Sequence, residues 1–518
     1  MAAGGGTRSP ATSGGSCYFS CMHPRRLVFL LVTSILAISC GSTVTKVGGD
    51  DDDGGGGAGT GVGGNTTQTL VGAPGVNISE VAIYQGVKRV LAVGGVEQPS
   101  IVPLVAGRRA LLRVFYIADA SVAGTAVTGR LQLEGQAPIE VDAMLATASS
   151  EANLTSTINF ELDPSLIGSA FTYSVSILSN ASADNPDAHH PAPGISESHA
   201  IEGAPNTFRV VLVPFQYNAD GSGRLPDTSP AAVELYKNRL LQLYPVSDVE
   251  VSVRAPVPWN STISPFGQGW QSVMEETYVL RLQDGVSPDV YYYSIFNPAP
   301  TLNQFCEQGC LLGVTGLNNQ PPDVGEPELR WAIGLGYPQM TFDTCAHELG
   351  HSHGRGHVDC GNGVDPNSID PGYPHSPNTI GTWGWDIVGG TLIDPAEHSD
   401  VMSYCDPTWI SDHNYRLFFD RASNVNLAKY QGPPVTYDVL MWDGTEALWS
   451  RPLTLERPFL SSGTPVTVED SKGNTTQVEG HFVPYDHLPG GMWFVPRVDE
   501  TIAQAKLMFE GVERTFTR

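Results

Sequence analysis

Residues His347 to His357 read His-Glu-Leu-Gly-His-Ser-His-Gly-Arg-Gly-His, and this stretch restricts the fold more than any other. On a helix rising about 1.5 Å per residue, His347 and His351 stand one turn apart on the same face. Glu348 stands beside them, where a carboxylate can hold and deprotonate a water at a metal. The helix must then end so that a third ligand can come round. Gly354 is the place where a left-handed turn costs least, and His357 follows three residues later. Three neutral imidazoles and a carboxylate base make a nearly complete catalytic zinc site. A bare H-E-x-x-H occurs by chance in unrelated helices; the added glycine and third histidine make the pattern far more demanding.

A second element lies 45 residues after His357, where Asp400-Val401-Met402-Ser403-Tyr404 forms a methionine-bearing turn. With both elements in place, the chain resembles the metzincin clan of zinc endopeptidases. The resemblance implies one zinc ion held by His347, His351 and His357, with Met402 beneath the imidazoles as an apolar floor. It also implies that Tyr404, as in the astacin and serralysin branches, reaches the metal and helps to bind the developing oxyanion. The expected catalytic fold is a metzincin-like α/β domain, a twisted mixed sheet with the zinc helix below it. Astacins follow the third histidine with Glu, matrixins with Ser and adamalysins with Asp. Here Val358 takes that place and Asp359 comes one residue late, so no branch is assigned. The motif-level resemblance covers residues 341–416. The chain also resembles, more weakly, the acidic multidomain bacterial clan members that cleave mucin-type glycoproteins.

The 518 residues exceed one compact core and suggest three domains after processing. With 28 basic against 54 acidic residues, the formal charge of −26 argues against nucleic acid and anionic lipid as partners. Residues 1–40 read as a signal peptide. Arg25 and Arg26 precede an apolar run from Leu27 to Ser39, too short to span a bilayer. Small residues before Cys40 resemble a bacterial lipobox, which implies lipidation of Cys40 and export to the cell envelope, on the outer membrane or the cell surface. A plain secretory signal is the other reading, and Met22 is an alternative start. Residues 41–68, rich in Gly, Ser, Thr and Asp, read as a flexible tether.

Five cysteines follow Cys40, and an exported compartment permits disulfides. Cys306 and Cys310 flank a tight Glu-Gln-Gly turn, a spacing that suits a local bridge. Cys360 and Cys405 each follow an element of the zinc site, so a bridge between them would pin the third-histidine loop to the methionine turn. Cys345 would then remain free on the zinc helix. None shows the paired C-x-x-C spacing of a zinc site.

Short alternating runs over residues 69–182, such as Ala110 to Tyr116 and Phe171 to Leu178, suggest a β-sandwich-like domain. Residues 183–206, rich in Pro, His, Asp and Ser, read as a linker holding His189 and His190 in a solvated loop. Strands and helices alternate over 207–430, the zinc protease-like domain, with Ser229 and Pro230 opening its first helix. Either Leu311 to Leu317 or Trp331 to Gly336 is expected as the cleft-edge strand that pairs with an extended peptide. Asp359, Asp365, Asp370 and Asp386 show no repeat of ligand spacing, so calcium has no support beyond their number. Residues 431–518 return to short strands, a small C-terminal β domain.

The expected function is zinc-dependent endopeptidase action on extracellular proteins or glycoproteins, by a monomer that meets the membrane only through its lipid anchor. Glu348 serves as the general base toward the zinc-bound water. Two other readings fit the same residues. One is a surface-anchored adhesin or glycan-binding lipoprotein whose protease domain is vestigial. The other is a zinc amidase acting on cell-wall peptides.

Overall fold

The computed structural model describes residues 69–518, apart from 204–205, 318–328, 362–363, 365, 367, 376–378, 425–432, 456–457, 460–462, 499–501 and 510. The expected signal segment with Cys40, the tether and Asp365 lie outside the described residues. The chain is multidomain and built mostly of β-sheets, with few helices. No helix among the described residues is long and apolar enough to cross a membrane.

The first unit is a sandwich of two antiparallel sheets. One runs Val96–Glu97, Lys88–Val93, Val76–Tyr84, Ala110–Ala118, Ile158–Leu162; the other runs Val71–Gly72, Ala170–Ser179, Ala126–Leu133, Ile139–Met144. Alternation sets the inner faces: Ala126–Leu133 buries Val127, Gly129, Leu131 and Leu133 and turns Thr128, Arg130 and Gln132 outward. Val81, Leu112 and Phe160 of one sheet meet Leu131, Tyr173 and Val175 of the other in a single core.

Parts of 183–206, expected as a linker, join the sheet. His189–His190 and Glu197–Ala200 pair antiparallel with Ala170–Ser179 and extend the second sheet. Glu197 accepts hydrogen bonds from the Tyr173 hydroxyl (3.0 Å), His190 Nε2 (3.1 Å) and His199 Nε2 (2.7 Å). Polar residues that read as solvated are thus satisfied inside the sheet, and His190 and His199 are buried.

The second unit carries a six-stranded sheet in the order Asp248–Val253, Thr207–Tyr217, Val290–Phe296, Trp331–Leu335, Gly313–Val314, with Val257–Trp259 also paired to Thr207–Tyr217. The first four run parallel, and Gly313–Val314 lies antiparallel at the edge. The helix Pro230–Leu243 starts where the residues dictate: Ser229 Oγ accepts from Ala232 N at 3.4 Å and Pro230 takes the first position. On one face of the sheet, Val210, Leu212, Tyr291 and Tyr293 pack against Tyr236 and Leu240 of that helix and against Ala346 and Leu349 of the helix Thr341–Ser352.

On the other face, Val213, Phe215, Tyr292 and Phe296 meet Trp270 and Met274 of the helix Trp270–Gln283. The same core takes in Val439, Met441, Met492 and Phe494 from the C-terminal unit, an eight-stranded antiparallel sheet spanning Val435 to Thr517. That sheet is therefore fused to the helix-backed sheet by a shared core, while its other face closes on Leu440, Trp442, Val466 and Trp493.

Candidate metal centre

The helix Thr341–Ser352 brings His347 Nε2 and His351 Nε2 to 3.1 Å from each other. It ends at His353, and Gly354 takes a φ of 82°, the left-handed turn its position predicts. The chain then returns, and His357 Nε2 reaches 3.1 Å from His351 Nε2. Backbone bonds fix this return: His357 N donates to Ser368 O and Asp370 N donates to His357 O, both at 2.8 Å.

The protons of these rings are placed by their surroundings. His347 Nδ1 donates to Val401 O at 2.8 Å, and His351 Nδ1 donates to Arg355 O at 2.6 Å. A carbonyl can only accept, so the Nε2 atoms carry lone pairs, and those lone pairs converge. His357 Nδ1 is bonded to Ser368 Oγ at 2.8 Å. Burial pushes the His347 imidazole down to about 4 and holds His351 and His357 well below the usual histidine range. Neutral nitrogens aimed at one point repel each other unless a cation lies between them. For metal–nitrogen bonds of about 2.0 Å, tetrahedral ligands stand about 3.3 Å apart, close to the spacing seen. The residues present fit a bound metal ion.

The methionine turn lies under this cluster. Met402 is fully buried, and its carbonyl accepts from Val358 N at 2.9 Å. Gly350 makes the approach possible, because a Cβ there would overlap Met402 Sδ. Buried Asp400 holds the turn: Oδ1 accepts from Met402 N and Asn414 Nδ2, each at 2.8 Å, and Oδ2 accepts from Ser411 N at 3.0 Å. The Tyr404 hydroxyl stands 3.1 Å from His357 Nε2. A disulfide joins Cys360 to Cys405 and ties the third-histidine loop to this turn; a second joins Cys306 to Cys310. Cys345 is a buried free thiol. The two disulfides point to an oxidising compartment.

Glu348 is buried beside the histidines, and Gly313 of the edge strand leaves it room, since a Cβ at Gly313 would collide with the carboxylate. Burial raises its pKa well above the carboxylate range, and the neighbouring Asp486 raises it further.

Two site residues went unread in the sequence. His487, from the turn joining strands Thr475–Pro484 and Gly491–Pro496, places Nε2 at 2.9 Å from His357 Nε2. His347, His351, His357 and His487 together form one cluster of converging ligand atoms, and Glu348, His351, Asp486 and His487 form an overlapping one. Asp486 Oδ1 accepts from Thr315 N at 3.0 Å, and Oδ2 lies 3.5 Å from His351 Nε2. The one local signal was an Asp-His pair set against the turn formers Pro489, Gly490 and Gly491.

Other polar candidates have local roles. Asp370 pairs with Arg355 and accepts from His413 Nε2 at 3.0 Å, His375 pairs with Asp412, and Asp386 accepts from Gln242 Nε2 at 3.0 Å. No protein-family model and no curated protein sequence matches this chain.

Proposed function

We propose that the chain is a zinc-dependent endopeptidase of the metzincin type, acting on extracellular proteins or glycoproteins. The observation that carries this reading is the convergence of the Nε2 atoms of His347, His351 and His357, the first two left as lone pairs by Nδ1 donation to carbonyls, next to the buried carboxyl of Glu348. His347, His351 and His357 would hold the ion. Bound zinc would supply a positive charge that acidifies a water, polarises the scissile carbonyl and draws Glu348 back to its ionised form. Glu348 then takes the proton of the attacking water and returns it to the leaving amine. The Tyr404 hydroxyl, beside His357, donates to the oxyanion that develops on the carbonyl. Lipidation of Cys40 would hold this enzyme at the cell envelope on the tether 41–68.

A second reading is favoured by one observation. His487 stands at the ligand cluster, where a catalytic site keeps an open position. A binding lipoprotein with an idle protease domain would have that arrangement. Cleavage of a mixed peptide library separates the two. Glu348→Ala should retain zinc and lose about a thousandfold in turnover. Equal cutting by both proteins would end the endopeptidase reading.

A further inference from the structure

We infer that the turn Pro484–His487 is a built-in plug: it lies along the edge strand where a peptide would pair and sets His487 as a fourth protein ligand on the metal. The inference rests on the metal-site reading above, and it adds to it a closed state and the part of the chain that closes it.

The edge is where the plug is visible. Strand Gly313–Val314 pairs on one side with Trp331–Leu335, which leaves its other side as the open edge of the sheet. Unpaired N–H and C=O groups on such an edge are a template for another extended segment. The chain itself occupies the continuation of that side, at residues 315–317. Gly316 and Tyr485 form an antiparallel bridge, Leu317 N donates to Pro484 O at 2.8 Å, and Asp486 N donates to Thr315 O at 3.3 Å. Asp486 Oδ1 takes Thr315 N at 3.0 Å. Three backbone groups that continue this side just past the strand, Thr315 N, Thr315 O and Leu317 N, are thus already taken.

One residue further on, the same segment enters the metal cluster. His487 Nε2 is 2.9 Å from His357 Nε2, and His487 Nδ1 is 3.9 Å from Glu348 Oε1. The imidazole therefore stands between the base and the three ligands, the space in which an attacking water would have to sit. Three protein ligands and an open position describe a catalytic zinc site; four protein ligands describe a closed one. The turn is also rigidly supported. Tyr485 N donates to Gly490 O at 3.2 Å, Gly490 takes a φ of 85°, and Tyr485 is buried in the core shared by the two sheets. A chance approach of a surface loop would not be held at both its base and its tip.

Opening would need the turn to swing off the edge strand, which frees the strand and the fourth metal position together. One displacement then admits both the peptide backbone and the water.

The test uses the full chain loaded with Co²⁺ and acetohydroxamate as the probe for an open metal position. It compares the wild type with His487→Ala and His487→Gln, each checked for an unchanged unfolding midpoint without metal. If the plug closes nine-tenths or more of the molecules, its removal strengthens acetohydroxamate binding by about tenfold or more, with a change in the visible spectrum of cobalt. Equal probe affinity in all three proteins would overturn the plug. So would loss of cobalt from both variants, which would make His487 a permanent ligand. Peptide cleavage is then read separately. Tighter probe binding without any cleavage would leave the plug standing and sink the endopeptidase reading instead.

Discussion

His353 lies inside the histidine-rich motif, yet it serves the core and not the metal. Its ring stacks on Tyr291 with centroids 4.9 Å apart, meets Phe208 and Tyr244 edge-on, and its Nδ1 donates to Leu349 O at 2.7 Å. Burial pushes it down to about 3. The fold therefore accepts the neutral ring, whereas the unfolded chain takes up a proton near pH 6.5. Stability from this residue is whole above that pH and is lost as pH falls toward 3. Between pH 7 and pH 5 the wild type should lose about 2 kcal/mol more than His353→Phe, which keeps the aromatic packing without the proton. Denaturant unfolding at the two pH values measures this, and parallel losses in the two proteins would refute it. His347, His351 and His357 were legible in the sequence because one short segment with fixed helical spacing holds all three. Asp486 and His487 were not, because tertiary folding alone brings them there from 129 residues beyond His357.

Elements with their own periodicity were also legible. The helix opened by Ser229 and Pro230, the parallel strands between helices and the alternating strands of the sandwich all follow local rules. Residues 183–206 misled because Glu197 draws His190 and His199 into a sheet that no local pattern announces. The methionine turn shows how such an element is held. Asp400 stays buried with three donors, Met402 N, Ser411 N and Asn414 Nδ2, on its two oxygens. Those bonds offset a burial that otherwise raises its pKa. Asp400→Ala leaves three buried donors without an acceptor and should cost about 3 kcal/mol. Because Val401 O orients His347, metal affinity should fall with it, by about tenfold or more. Thermal unfolding and chelator competition measure the two effects; an unchanged affinity would mean that the turn holds His347 without Asp400.

At the scale of the whole molecule, Arg108 ties the sandwich to the helix-backed unit at their buried boundary. It is fully buried, and no carboxylate among the described residues pairs with it. Its guanidinium donates instead to carbonyls on both sides of the boundary: Gln85 O at 2.9 Å within the sandwich, and Leu241 O at 2.7 Å and Val246 O at 2.8 Å at the end of the helix Pro230–Leu243. Tyr415 reinforces the joint by donating to Gln85 O at 2.8 Å, and Trp409 Nε1 donates to Gly86 O at 2.8 Å. A buried cation held by carbonyl oxygens is stable because each bond is charge-assisted, worth about 1.5–3 kcal/mol. Arg108→Met keeps much of the side-chain volume, removes the charge and strands those carbonyls. The loss falls on the joint, which apolar contacts also cross: Val87, Val102 and Val105 enter the core around Tyr236 and Leu240, and Tyr84, Leu111 and Phe115 pack with Trp385 and Ile387. Calorimetry of the wild type should therefore give one transition for these units, and the variant should lower its midpoint by several degrees. A single transition at an unchanged midpoint would show that Tyr415, Trp409 and the surrounding contacts couple the units without Arg108.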